Sequence, residues 1–169
     1  MAQPSEAGFD AAVMKFQRPL TLYALRITRD PERARDIVQE TFAKLCSDRS
    51  ADVNGHLAEW LYTVCRNKAL DVRRKERRMT LMDPQIDSPS REAGPAERVE
   101  RDDTSAMILK TIARLPEHEQ EVIRLKFQHG LSYEQIAKVT GLSVNNVGFL
   151  MHTGLKKVRQ KLTDKSERS

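Results

Sequence analysis

A chain of 169 residues, 39% hydrophobic and 31% charged, has a soluble composition with room for one medium domain or two small ones. No apolar run approaches the ~20 residues of a membrane span, and the acidic, polar residues 1–10 make no secretory signal, so a cytoplasmic protein without membrane insertion is expected. The net charge of +5 is segregated: 15 Lys/Arg against 11 Asp/Glu in residues 1–82, 3 against 7 in 83–105, and 11 against 6 in 106–169. Basic blocks on either side of an acidic connector suit polyanion binding by the blocks, with the connector repelled by the same polyanion.

Strand signals are almost absent, and the pattern predicts an all-α fold. A first helix covers residues 9–28 and is interrupted or bent near Pro19, whose ring removes a helical hydrogen bond. A second starts at Asp30-Pro31, with Asp as cap and Pro at the first helical position, and runs to Cys46. Ile37, Val38, Thr41, Phe42 and Leu45 form its apolar stripe, while Asp36, Gln39, Glu40 and Ala43 share the opposite, polar face. On physics alone that polar face reads as solvated.

After a polar loop over 47–56, which includes Asn54, a third helix runs over 57–78. Its core arc is Leu57, Leu61, Val64, Cys65, Ala69 and Val72. Trp60, Thr63, Asn67, Asp71 and Arg74 cluster on one flank beside seven cations in residues 66–78, among them Arg73 and Arg77. An indole and an amide beside cations make a single-strand nucleic-acid surface, bases meeting the former and phosphates the latter. The plainer alternative places Trp60 in the core and makes Asp71–Arg74 a surface ion pair.

Residues 82–104 hold Pro84, Pro89, Gly94 and Pro95 among many charges and read as a flexible linker between domains at 9–81 and 105–163. Helices then follow over 104–115 and 116–129, the latter closed by Gly130. Ser132 and Gln135 form a capping box for a helix over 133–140, Gly141 supplies a tight turn, and Ser143 caps a longer helix reaching Leu162. Val147, Leu150, Met151, Leu155, Val158 and Leu162 make its apolar stripe. The Ala137, Gly141, Val147 spacing is that of a DNA-binding helix-turn-helix. Opposite the stripe lie Asn145, Phe149, His152, Lys156 and Arg159, with Ser143 and Asn146 at the entrance. Asn145 suits adenine and Phe149 a thymine methyl, or else Phe149 is a packing or partner surface; Lys156, Lys157 and Arg159 suit phosphates. Cys46 and Cys65 read as buried free thiols, and the four His are scattered. No metal, cofactor or enzymatic chemistry is expected.

The segments Asp36-Ile-Val-Gln-Glu-Thr-Phe, Trp60-Leu-Tyr-Thr-Val-Cys-Arg-Asn-Lys-Ala-Leu-Asp-Val-Arg-Arg and Leu115-Pro-Glu-His-Glu-Gln-Glu-Val, together with the helix-turn-helix, resemble the extracytoplasmic-function sigma factors of bacterial RNA polymerase. The resemblance covers residues 9–80 and 105–162. It implies that Asp36, Gln39 and Glu40 face the β′ clamp helices of core polymerase, which replaces the solvated reading of that face. It implies that the 47–56 loop, with Asn54, captures a flipped base of the minus-ten element, and that Trp60, Asn67, Asp71, Arg73, Arg74 and Arg77 belong to the segment that melts and reads it. The second domain is implied to read the minus-thirty-five element as duplex through Ser143, Asn145, Asn146, Phe149, His152, Lys156 and Arg159, and to contact the β flap. An anti-sigma factor is a common partner in the family. The chain departs from the family pattern at residues 148–152, where cations are usual and Gly, Phe, Leu, Met and His stand instead. Two alternatives stay open on the residues: a helix-turn-helix regulator that binds duplex DNA alone, and a sigma-like protein that acts by binding a regulator.

Overall fold

The computed structural model describes residues 6–48, 55–83 and 103–168, and its chain divides into two compact units. The first holds α1 (Glu6–Thr28), α2 (Pro31–Ser47) and α3 (Leu57–Met82); the second holds α4 (Asp103–Ile112), α5 (Glu117–Phe127), α6 (Tyr133–Thr140) and α7 (Val144–Glu167). The expected loop residue Asn54 and most of the expected linker lie outside the described residues.

In the first unit each helix packs on the other two. Helix α1 runs unbroken through Pro19, so of the interruption or bend expected there the interruption is absent. Proline withdraws one amide from the ladder, but Leu20, Tyr23 and Ala24 immediately beyond it are buried, and that burial outweighs a local loss of about 3 kcal/mol. Only Arg29 and Asp30 separate α1 from α2. Arg29 adopts φ 59°, with its amide donating to the Leu25 carbonyl at 2.7 Å. Asp30 then caps α2 by accepting from the Glu32 and Arg33 amides, so the chain reverses within two residues. The predicted α2 stripe is buried throughout, joined by Ala34.

On α3 the core is Leu61, Tyr62, Val64, Cys65 and Ala69. Tyr62, absent from the predicted arc, stacks edge-to-face on Tyr23 at 5.3 Å between centroids, a contact between distant parts of the chain. Leu57 and Val72 are only half-buried. Helix α3 also runs a turn past residue 78, to Met82.

The two cysteines part company. Cys65 is buried as expected; Cys46 is exposed, because it follows Leu45 on the solvent side of α2. Burial pushes the Cys65 thiol up from 9.0 to about 12, and burial likewise raises the Tyr62 hydroxyl, with Cys65 adding to it. At pH 8 a thiol reagent is therefore expected to titrate one cysteine in the native chain and two in denaturant. Both groups hold their protons in the folded state at pH values where the unfolded chain releases them. Stability of the first unit is thus full below pH 9 and falls from there toward pH 12, by at most about 1.4 kcal/mol per pH unit for each group. Urea unfolding at pH 8 and 10.5 measures this, and Cys65→Ala should flatten the decline.

In the second unit α7 packs on α4, α5 and α6. Ser132 Oγ accepts from the Gln135 amide at 3.2 Å while Gln135 Oε1 accepts from the Ser132 amide at 2.9 Å, closing the capping box. Gly141 takes φ 75° and returns its amide to the Ala137 carbonyl at 2.9 Å. Ser143 Oγ accepts from the Asn146 amide at 3.1 Å and starts α7. Helix α6 has the predicted bounds. The buried line of α7 is Val147, Met151, Gly154 and Val158, whereas Leu150, Leu155 and Leu162 sit half-buried beside it. A Cβ on Gly154 would lie 2.7 Å from Ile123 Cδ1 and 3.4 Å from Glu119 Cβ, so glycine is what lets α7 approach α5.

Candidate nucleic-acid interface

Three surfaces remain once the cores are assigned. The first is the outward side of α2, where Asp36, Gln39, Glu40 and Ala43 are all exposed. Glu40 is not alone there: its Oε2 accepts from Lys68 Nζ of α3 at 3.0 Å. Asp36 stands on the same face one turn before Glu40.

The second surface is the flank of α3. Trp60 is half-buried, neither core nor freely exposed. Asn67, Asp71 and Arg74 follow at seven, four and three residues, all exposed on the same side. The Asp71–Arg74 ion pair is present at 3.5 Å, between two well-exposed side chains, where such a pair contributes little to stability. The cation run is less bare than its composition suggests. Lys68 is held by Glu40, Arg74 by Asp71, and within the same stretch Glu76 binds Arg33 of α2 at 2.7 Å. Lys75, Arg77 and Arg78 are exposed near the end of the helix, whereas Arg73 is half-buried.

The third surface is the outer ridge of α7. Asn145, Phe149, His152 and Lys156 stand at i, i+4, i+7 and i+11, and all four are exposed, as are Ser143, Asn146 and Arg159. The Phe149 ring is 66% exposed, which excludes the packing alternative within this unit. Lys157 lies elsewhere, contrary to the expected phosphate contact. Its Nζ donates to both oxygens of Glu119 on α5, at 2.8 and 3.0 Å, and the Glu119 side chain is only 8% exposed. A buried carboxylate demands a cation, and Lys157 supplies it. Nothing in the sequence near Lys157 signals this, because the partner is 38 residues away.

A helix-turn-helix with an exposed amide-and-aromatic ridge, and a separate helical unit with a half-buried indole among cations, define a DNA-binding protein of transcription. Residues 12–79 match the family model for Sigma-70 region 2, and residues 105–158 that for Sigma-70 region 4. The chain is 30% identical over 146 residues to the ECF RNA polymerase sigma factor SigL of Mycobacterium tuberculosis, covering 84% of this chain and 81% of SigL. Its fold is similar to that of the sigma factor RpoE of Bartonella quintana, solved in complex with the anti-sigma factor NepR, at a TM-score of 0.68 and 23% identity over 92% of this chain and 96% of that one. It is also similar to CnrH, solved in complex with the cytosolic domain of CnrY, at a TM-score of 0.62 and 23% identity over 95% and 90% of the two chains. The chain belongs to the extracytoplasmic-function sigma factors of RNA polymerase. Among the described residues no helix is long and apolar enough to cross a membrane.

Proposed function

We propose that this sigma factor directs core RNA polymerase to its promoters through three separate surfaces. The exposed α2 face, with Asp36, Gln39 and Glu40, docks on the β′ clamp helices. The α3 flank, with Trp60, Asn67, Asp71, Arg73, Arg74 and Arg77, melts and reads the minus-ten element, assisted by the loop that carries Asn54. The α7 ridge, with Ser143, Asn145, Asn146, Phe149, His152, Lys156 and Arg159, reads the minus-thirty-five element as duplex, and the same unit meets the β flap. The chain works in the cytoplasm with the polymerase and has no chemistry of its own; nucleotidyl transfer belongs to the core enzyme.

The observation that carries this assignment is the presence of a half-buried Trp60 among cations in one unit and an exposed helix-turn-helix ridge in the other. Opening base pairs costs several kcal/mol in stacking and pairing, and capture of extruded bases against an aromatic offsets about 1–3 kcal/mol per base. Duplex recognition alone needs no such surface. Regulation by a protein that covers these faces also belongs to the proposal, since RpoE was solved with its anti-sigma factor NepR.

Transcription with purified core polymerase on a pool of genomic templates, followed by mapping of start sites, tests the whole. Discrete new start sites are expected only when the chain is added. Tight promoter binding without core polymerase, and no new start sites with it, would instead identify a self-sufficient duplex-binding regulator.

A further inference from the structure

The outer ridge of α7 carries no formal charge over its first three turns, and an aromatic ring stands at its centre. We propose that Phe149 reads the methyl group of a thymine in the upstream promoter element, and that Asn145 and Asn146 set the adjoining pairs as A·T. The inference rests on the duplex-reading role given above to the second unit, and it specifies the chemistry which that unit recognises.

The core of the unit does not use the Phe149 ring. Val147, Met151, Gly154 and Val158 face α5 and its neighbours, while Phe149 lies on the opposite side, 66% exposed. Val144 in the first turn adds a second exposed apolar side chain. No Lys, Arg, Asp or Glu occurs between Ser143 and Lys156. The commonest specific contact to guanine is a bidentate Arg or Lys on its O6 and N7, and the carboxylates that accept from cytosine are equally missing. What the ridge does carry is the complement of A·T: amides that pair with adenine N6 and N7, and an apolar ring for the thymine C5-methyl.

Placement of the cations agrees. From Asn145 to Lys156 the helix advances about 16 Å at 1.5 Å per residue, against a major groove roughly 12 Å wide. With the first turns of α7 on base edges, Lys156 and Arg159 arrive at the groove's rim, where phosphates are. Lys157 is withheld from that rim by Glu119. Base reading and phosphate holding are thus divided along one helix, apolar and amide groups first and charge afterwards.

The test uses holoenzyme, formed from core polymerase and the full chain, on a promoter recovered by selection from random duplexes. Each thymine of the upstream element is replaced singly by deoxyuridine, which removes only the methyl group. At one position affinity is expected to fall about fourfold, the effect of losing one buried methyl-sized group. Phe149→Ala should lose the same amount on thymine DNA and bind thymine and uracil versions alike; Phe149→Leu should retain part of the discrimination. Because Phe149 is exposed, both variants should melt as wild type does. The salt slope of binding should be unchanged by Phe149→Ala and reduced by about 0.9 in Lys156→Gln.

Uracil tolerated at every position by the wild type, or equal loss by Phe149→Ala on both bases, would overturn the proposal. So would a loss of core-polymerase affinity in Phe149→Ala without DNA, which would make the ridge a protein-docking surface. If the wild-type holoenzyme leaves the upstream element unprotected in footprints, the duplex-reading role itself fails; protection with no methyl effect rejects the Phe149 inference alone.

Discussion

Lys157→Met is expected to destabilise the second unit by about 2 kcal/mol, lowering its melting temperature by roughly 10 °C. The substitution keeps most of the side chain's apolar stem and removes only the ammonium, so the loss measures what Glu119 requires. A fully buried pair broken on one side costs about 3–5 kcal/mol. Here the Lys157 side chain is 45% exposed and water can reach the site from that side, which justifies the lower figure. Lys156→Met, one residue away on the exposed ridge, should leave stability unchanged within about 0.5 kcal/mol. Replacing both partners, Glu119→Leu with Lys157→Met, should recover most of the loss because no charge is then left buried. Thermal unfolding followed by circular dichroism decides the matter: a Lys157→Met chain that melts with wild type would reduce the pair to a surface contact.

The second large effect is functional. A chain ending at Asp83 retains all of α1, α2 and α3 and the core they share, and it should bind core polymerase nearly as well as the full chain. Promoter binding that depends on the minus-thirty-five element should vanish with the α7 ridge. In the truncated chain Asp36→Arg should then weaken core binding by roughly a hundredfold, since a like charge placed in a complementary interface costs several kcal/mol. Asp36 is the better probe than Glu40, whose replacement would also release Lys68 from its 3.0 Å pair. Competition between truncated and full-length chains for core polymerase measures both effects. Complete loss of binding on truncation would show that the α2 face is not the main polymerase contact.

What the sequence discloses and what it withholds follow from the range of the interactions. The turn between α6 and α7 is legible residue by residue, because Ser132, Gln135, Gly141 and Ser143 act within four positions of themselves. The α2 stripe is legible because helical period alone assigns it. The buried line of α7 is only partly so. Periodicity favours Leu150 and Leu155, but the closest approach to α5 falls on Gly154, and a side-chain-free position sends no hydrophobic signal. Glu119 lies in a motif that the sequence singles out, yet its partner Lys157 is joined to it by folding alone. Tyr62 is hidden for the same reason, as its place beside Tyr23 depends on how α3 crosses α1. Pro19 misleads in the other direction: a strong local breaker is overridden by burial on its far side. Of the three candidate surfaces the sequence locates the residues, and the fold decides which cations are already engaged.

The half-buried indole on α3 also makes the chain its own optical probe. Trp60 is the sole tryptophan among the 169 residues and belongs to the first unit. Its emission therefore follows the unfolding of that unit and is blind to the second, whose melting has to be tracked by helicity. A Lys157→Met chain would then show a shifted ellipticity curve over an unmoved fluorescence curve, and a base stacking on the ring as DNA opens would quench the same light.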